Sequence, residues 1–246
     1  MSKQLEQIQK QLERLADSKR AAISIKFFKT GRGEYGEGDL FRGIRVPELR
    51  RLARTHAVLS LSRTETLLKS GFHEDRLLAL LILVRVYSKG NEDVRQEVFD
   101  LYLRNMAFIN NWDLVDCSAE YIIGPHISNR SKALLQKMAR SNDLWERRIA
   151  VLATFHYIKS GRFDHTFQIA KLLLNDKADL IHKAVGWMLR EIGKRDQSAE
   201  ETFLKRHYRK MPRTMLRYAI ERFPQARRRA YLNGSVGSSR QDACDP

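Results

Sequence analysis

FHEDRLLALLILVRVY, at residues 72–87, is the first of five similar segments that decide the fold of this chain. Each segment has apolar residues at helical spacing, and Ser, Gly, Asn and Asp residues separate the helices. The other four are NNWDLVDCSAEYII at 110–123, DLWERRIAVLATFHYI at 143–158, DLIHKAVGWMLREI at 179–192 and RTMLRYAIERF at 213–223. Successive segments begin 38, 33, 36 and 34 residues apart. A unit of two helices therefore recurs about every 35 residues.

This period predicts an all-α fold, a HEAT-like helical-repeat solenoid whose second helices line a concave surface. Tetratricopeptide repeats are disfavoured, because their pattern of Trp, Gly, Tyr and Pro does not recur. The length of 246 residues and the 43% hydrophobic content allow a sizeable core. We expect a single domain over residues 1–232.

The N-terminal part of the chain follows a different pattern. A first helix is predicted by apolar residues three or four positions apart, at Leu5, Ile8, Leu12 and Leu15. A second short helix is predicted at Lys19–Phe28. Lys29–Val46 then has five glycines and no helical period, which predicts a mobile, hairpin-like insert at about 29–46. Pro47 is expected to begin the next helix.

The charge of the chain favours a polyanionic partner. Lys and Arg number 45 against 29 Asp and Glu, a net charge of +16, so nucleic acid leads and an anionic membrane surface is the weaker option. The longest apolar run, Leu77–Val84, is too short for a membrane span, and the N-terminus does not look like a signal peptide. Two cysteines and scattered histidines predict a cytoplasmic protein with no metal site and no cofactor. The small, polar tail at 233–246 is predicted to be disordered.

Trp112 and Asp116 are the strongest candidate site residues. Four positions apart on a helix, they share one face, and neither is a comfortable core residue. Helices at equivalent repeat positions carry further candidates, at Arg147, Arg148, Lys183 and Trp187. On a concave surface these residues predict a groove in which cations bind phosphates and indoles lie against a sugar or a base.

The chain resembles the AlkD-like DNA alkylation repair glycosylases from about Ala22 to Phe223. Three motifs carry the resemblance, NWDLVD at 111–116, LWERRIAVL at 144–152 and HKAVGWMLRE at 182–191. It implies hydrolysis of the N-glycosidic bond of cationic alkylated purines, such as 3-methyladenine and 7-methylguanine, in duplex DNA and without a deep base-flipping pocket. It also implies that Asp116 is the catalytic carboxylate, that Trp112 and Trp187 flank the deoxyribose, and that Arg148 contacts the DNA backbone.

The expected chemistry suits these residues. A purine methylated at N3 or N7 leaves as a neutral base and needs no general acid, so what requires stabilisation is an oxocarbenium-like sugar. A carboxylate at Asp116 would stabilise this cation by charge and could orient the attacking water. The faces of Trp112 and Trp187 would each add about 0.5–2 kcal/mol through cation–π attraction.

Simpler interpretations remain for each of these residues. Tryptophans at helical spacing are often core, and Asp116 could be a structural partner of Arg148 across a repeat interface. Arg147, Arg148 and Lys183 could form an ordinary solvated face. Three functional classes follow: a monomeric DNA glycosylase, a non-catalytic binder of damaged or branched DNA that uses the insert, and a protein–protein scaffold. The net charge argues against the scaffold unless its partner is acidic.

Overall fold

The protein is described by a computed structural model that covers residues 3–128 and 133–236. The chain divides into two compact units, Met1–Arg130 and Ser131–Pro246. The described residues form helices and turns, with one isolated bridge between Leu40 and Phe72. The predicted all-α helical-repeat fold is thereby confirmed. The single domain over 1–232 stays a prediction.

Unit 1 contains the helices that precede residue 129. They are α1 (Lys3–Leu15), α2 (Ser18–Phe27), α3 (Val46–Thr55), α4 (Leu61–Leu68), α5 (His73–Lys89), α6 (Glu92–Arg104), α7 (Trp112–Asp116) and α8 (Ala119–His126). The first two predicted helices are present as α1 and α2, and Pro47 lies in the first turn of α3 as expected. A run of completely or largely buried residues in α5, Leu77–Leu83, forms the centre of this unit.

Unit 2 contains the helices that follow residue 132. They are α9 (Ala133–Ala139), α10 (Leu144–Ala153), α11 (Phe155–Ile158), α12 (Asp164–Leu172), α13 (Asp179–Gly193), α14 (Gln197–His207), α15 (Arg213–Ala219) and α16 (Gln225–Leu232). The five repeated segments correspond to α5, α7 with α8, α10 with α11, α13, and α15, each within two residues of its expected start. No described helix is both long enough and apolar enough to cross a membrane.

Within the described residues, the glycine-rich insert does not form the strand-paired hairpin that the sequence predicts. Residues 28–39 form successive turns, and the Leu40–Phe72 bridge is the one ladder contact of this segment within the described residues. Gly43 has φ +76°, and a Cβ there would lie 2.2 Å from the Asp17 carbonyl oxygen, so the segment crosses the start of α2 too closely for any other residue. Close packing, rather than strand pairing, shapes the insert.

Arg42 of this insert is held in a largely buried network. Its Nε lies 2.7 Å from Asp75 Oδ1, and its guanidinium lies over the Phe72 ring, 3.9 Å from the centroid. The Glu74 carboxylate accepts hydrogen bonds from the backbone N–H groups of Arg42, Gly43 and Ile44. Charged residues at the start of α5 therefore fix the end of the insert.

The tail begins with ordered contacts. Tyr208 Oη donates to the carbonyl groups of Gly234 and Val236, at 3.1 and 3.0 Å, and Val236 is buried. The disordered tail over 233–246 stays a prediction. Residues 237–246, the rest of that prediction, lie outside the described residues.

Candidate functional site

The segment that carries Trp112 and Asp116 folds as two short helices. Asn111 begins α7 by accepting a hydrogen bond from the Trp112 backbone N–H at 2.8 Å. Ser118 interrupts the helix, because its hydroxyl donates to the Leu114 carbonyl at 2.6 Å instead of leaving that carbonyl to a continuing helix. Asp116 is consequently the last residue of α7, one turn after Trp112 and on the same face.

The Asp116 carboxylate lines a pocket of about 340 Å³ in unit 1. Three elements form the pocket: α3, α5 and the link from α7 to α8. Its lining residues are Arg50, Ala53, Arg54, Leu81, Val84, Arg85, Asp116, Cys117 and Tyr121. Burial raises the pKa of the Cys117 thiol, which is therefore neutral at physiological pH. Asp116 is the one anionic group among these described lining residues.

Three arginines line the same pocket, and none of them was a candidate from the sequence. Arg50, Arg54 and Arg85 form no ion pair with any described carboxylate. The Nε atom of Arg85 is buried and has no hydrogen-bond acceptor in the described part of the chain. Arg50 and Arg54 are one turn apart on α3, so their like charges lie close together. Three cations and one carboxylate give the pocket a net positive charge, which attracts an anion.

The candidates from the sequence lie on the repeated segments, whereas α3 precedes the first of these segments. The available signal was ELRRLART at 48–55, in which arginines stand at i and i+4 among buried leucines. The neighbouring Arg51 shows why that signal is ambiguous. Its Nη2 pairs with Glu48 at 2.7 Å, and it does not line the pocket.

Trp112 is half-buried in an aromatic cluster. Its ring stacks on Phe28, with centroids 5.5 Å apart and planes inclined by 23°, and Phe27 meets it edge-on at 5.9 Å. Phe28 in turn stacks on Phe41 at 5.1 Å. The aromatic residues near the end of α2 therefore set the orientation of the indole. Trp112 is neither a fully buried core residue nor a free surface one.

A network of buried charged residues lies beside Trp112. The buried His73 ring joins two carboxylates, with Nδ1 3.3 Å from Asp39 and Nε2 2.8 Å from Asp113. Burial alone would lower the pKa of His73, but the two hydrogen-bonded carboxylates raise it to about 9. Asp39 also binds Arg76 at 2.6 Å. His73 is therefore an imidazolium at neutral pH, and it anchors the residue that follows Trp112.

The predicted arginines of unit 2 are largely engaged inside that unit. Arg148 is 4% exposed, and its Nη1 donates to the Leu180 carbonyl at 2.7 Å. Arg147 binds Asp176, with Nε 2.6 Å from Oδ2, and donates to two backbone carbonyls. Arg147 is thus a structural residue rather than a groove cation. The contact of Arg148 with DNA stays a prediction.

Lys183 and Trp187 lie one turn apart on α13, as their spacing predicts. Lys183 Nζ pairs with Asp179 at 2.8 Å on the surface, and this partner lowers the pKa of Asp179. The half-buried Trp187 indole donates from Nε1 to Glu191 at 3.2 Å and meets Phe155 edge-on, with centroids 5.9 Å apart. Both residues remain partly accessible.

No cluster of three or more His, Cys, Asp or Glu side chains suited to a metal ion occurs among residues 3–128 and 133–236. The pocket at Asp116 has one carboxylate and three arginines, and Trp112 is not among its lining residues. This set of groups can hold a phosphate and stabilise a cation, but it offers no described ligand set for a metal.

Comparison with known proteins agrees with this fold. The family model described as a DNA alkylation repair enzyme matches residues 8–223. A solved structure, a predicted DNA alkylation repair enzyme from Enterococcus faecalis, superposes with a TM-score of 0.66. That protein is 16% identical, and the match covers 85% of this chain and 97% of the other, a likeness that shows the fold alone. A search of curated proteins finds no match.

Fold and site together define an all-α helical-repeat protein with a cationic pocket around a carboxylate. The family match covers most of the chain. The chain belongs to the DNA alkylation repair enzyme family.

Proposed function

We propose that this protein is a DNA glycosylase that releases cationic alkylated purines, of the 3-methyladenine and 7-methylguanine type, from duplex DNA. The observation that carries the proposal is the Asp116 carboxylate in a pocket with three arginines that lack carboxylate partners in the described chain. The family to which the chain belongs supports DNA as the substrate.

The pocket offers charges of both signs for the two charged parts of an alkylated nucleotide. Arg50, Arg54 and Arg85 suit the phosphates, because guanidinium groups bind phosphate oxygens in a bidentate manner. Asp116 suits the sugar, which becomes positive as the bond to the base breaks.

Each further residue has a limited role in this reaction. An alkylated purine carries its own positive charge and leaves as a neutral base, so no general acid is needed. Asp116 stabilises the oxocarbenium-like sugar and accepts a proton from the attacking water. Trp112, held by Phe27 and Phe28, offers an aromatic face to the nucleotide. In unit 2 the proposal assigns Arg148, Lys183 and Trp187 to contacts with DNA.

The decisive test compares two carboxylates of the same short helix. Asp116→Asn keeps the size of the side chain and removes its charge, so we expect base release from methylated duplex DNA to fall by about 100-fold or more. DNA binding should be retained or improved, because a negative charge has left a phosphate-binding pocket. Trp112→Ala and Trp187→Ala should reduce the rate less, since each removes a modest attraction.

Asp113→Asn is the matched control. It removes the partner of His73 and should lower the melting temperature, while folded enzyme releases bases at close to the wild-type rate. Free 3-methyladenine and 7-methylguanine are measured by chromatography. Release at the parent rate by Asp116→Asn would refute the catalytic assignment. Tight binding by wild-type protein without any base release would instead support a non-catalytic binder of damaged DNA.

A further inference from the structure

The C-terminal part of unit 2 holds most of the excess positive charge of the protein. Ten lysines and arginines lie between Lys205 and Arg229, and Glu221 is the one acid in this stretch, whereas the whole chain has a net charge of +16. Eight of these cations are exposed, at Lys205, Arg206, Arg209, Lys210, Arg213, Arg217, Arg222 and Arg229. None of the eight residues was a site candidate from sequence.

The nearby acids do not neutralise these exposed cations. Glu221 pairs with Arg190, and Glu201 pairs with Arg227 at 2.8 Å. Burial raises the pKa of Glu200 to about 8, so this side chain is mostly neutral at physiological pH. Within the described part of the chain, none of the eight exposed cations forms an ion pair. Their field is therefore directed to solvent.

Two of these arginines are held in place around one pocket. Arg209 donates from Nε to the Tyr208 hydroxyl at 3.1 Å, and Arg213 donates from Nη1 to the Leu232 carbonyl at 2.6 Å. Both line an open pocket of about 400 Å³ with the end of α16. Each guanidinium is fixed by one inward bond, and its other N–H groups have no acceptor among the described residues. Preorganised donors of this kind suit a phosphate.

The third arginine of this group extends the surface along α15. Arg217 is one turn beyond Arg213 and therefore lies on the same face. Helix α15 packs closely on α13: a Cβ at Gly186 would lie only 2.4 Å from the Met215 carbonyl oxygen, so the two backbones are nearly in contact. The same helix α13 carries Lys183 and Trp187. We name Arg209, Arg213 and Arg217 the C-terminal basic surface.

We propose that the C-terminal basic surface is a second DNA-binding site, which holds the phosphate backbone of duplex DNA outside the reactive nucleotide. The inference rests on DNA as the substrate in the proposed function, but it does not depend on base release. The site reads no sequence, since guanidinium–phosphate contacts carry none. It increases affinity and keeps the protein on DNA while damage is sought.

The test compares two triple variants of the full chain that lose the same charge. Arg209→Gln, Arg213→Gln and Arg217→Gln together remove the surface, whereas Arg51→Gln, Lys69→Gln and Arg104→Gln remove exposed cations that are already paired with Glu48 or Glu65. Binding to an undamaged duplex is measured by fluorescence anisotropy over a salt series. The first triple should raise the Kd by about 10-fold or more and reduce the magnitude of the log–log salt slope by roughly 2–3. The control triple should change the slope by less than about one.

A measurement on the wild-type chain covers the case in which the first triple misfolds, as judged by circular dichroism. Bound duplex should protect Lys205 and Lys210 from an amine-reactive reagent and leave Lys69 reactive, as read by mass spectrometry. An unchanged salt slope, or equal reactivity with and without DNA, overturns the inference. Vesicles containing phosphatidylserine are tested in parallel, and loss of vesicle binding with intact DNA binding would assign the surface to a membrane instead.

Base release separates this inference from the proposed function. Single-turnover release from methylated DNA at saturating protein should be unaffected in the control triple, because its cations are already paired and have no proposed contact with DNA. If the wild-type protein released no base but the first triple lost affinity and salt dependence, the glycosylase proposal would be refuted. The C-terminal basic surface would still stand as a DNA-binding site. The opposite pattern would retain the glycosylase and refute the surface.

Discussion

The start of α5 and the C-terminal basic surface are both rich in charge, but they treat that charge in opposite ways. At the start of α5, the consecutive residues His73–Arg76 are all buried, and each has a hydrogen-bonded partner in the insert or in α7. At the C-terminal basic surface, the arginines are exposed and form no ion pair with the described residues. Similar residue types thus serve two purposes.

The difference shows how to separate structural from functional charge in this protein. A buried charge must be paired, because an unpaired one carries a desolvation penalty of several kcal/mol. An exposed cation without a partner contributes little to stability and remains available to a polyanion. At the pocket of Asp116, Arg50 and Arg54 are exposed and form no ion pair with a described carboxylate, like the arginines of the C-terminal basic surface. Under the proposed function, exposed cations without a carboxylate partner are the ones expected to face DNA.

The largest effect on stability should come from the buried network. Asp75 has no exposed side-chain area and accepts hydrogen bonds from Arg42 and Ser70 at 2.7 and 2.8 Å. Asp75→Ala leaves Arg42 without its partner, so we expect a loss of about 3–5 kcal/mol in the free energy of unfolding. Urea unfolding followed by circular dichroism measures this. Glu48→Ala, which breaks an exposed pair with Arg51, should cost no more than about 1 kcal/mol. Equal losses in the two variants would contradict the comparison.

A somewhat smaller effect should appear as pH dependence. His73 faces Asp39, Asp113 and, through Asp39, Arg76, and its pKa is raised to about 9 from an unfolded value of 6.5. A raised pKa means that the folded state binds the proton more tightly. Its contribution to stability is therefore complete below pH 6.5, is lost progressively as pH rises to about 9, and is on the order of 3 kcal/mol.

The measurement is the stability of wild type and His73→Gln between pH 6 and pH 10. Wild type should lose stability across the window from 6.5 to 9, and the variant should start lower and change less there. Parallel curves for the two proteins would show that His73 is not the titrating group.

The sequence was sufficient for the repeats and for the face shared by Trp112 and Asp116, because both follow from helical periodicity. The sequence was insufficient for the insert, because glycine content predicts irregular backbone but not the residues of α2 and α5 on which that backbone packs. Nothing in the sequence marks the charged start of α5 as buried, and only the tertiary structure shows that the Glu74 carboxylate accepts hydrogen bonds from three backbone N–H groups. The sequence pattern also cannot distinguish the paired arginine of α3 from the two that line the pocket, because Arg50, Arg51 and Arg54 differ only in their partners.

The smallest effect, and the sharpest contrast, lies within one turn of α3. Arg51 pairs with Glu48, whereas Arg54 lines the Asp116 pocket without a described carboxylate partner. Arg54→Gln should reduce the log–log salt slope of DNA binding by about 0.9, one phosphate contact, and Arg51→Gln should leave it nearly unchanged.

Without DNA, the stability of the protein should rise in Arg54→Gln, whereas its DNA binding weakens. Arg54→Gln removes the repulsion from Arg50 one turn away, so we expect the free energy of unfolding to rise by about 0.2–0.5 kcal/mol. Arg51→Gln removes an attraction to Glu48 and should lower it slightly. The free energies of unfolding of the two variants and wild type are measured by urea titration at low salt. The sign of each change relative to wild type is the result that decides. A weaker DNA complex together with a more stable free protein is expected only of a cation placed for a ligand. If Arg54→Gln destabilised the free protein and left the salt slope intact, this arginine would belong with the structural charges of α5.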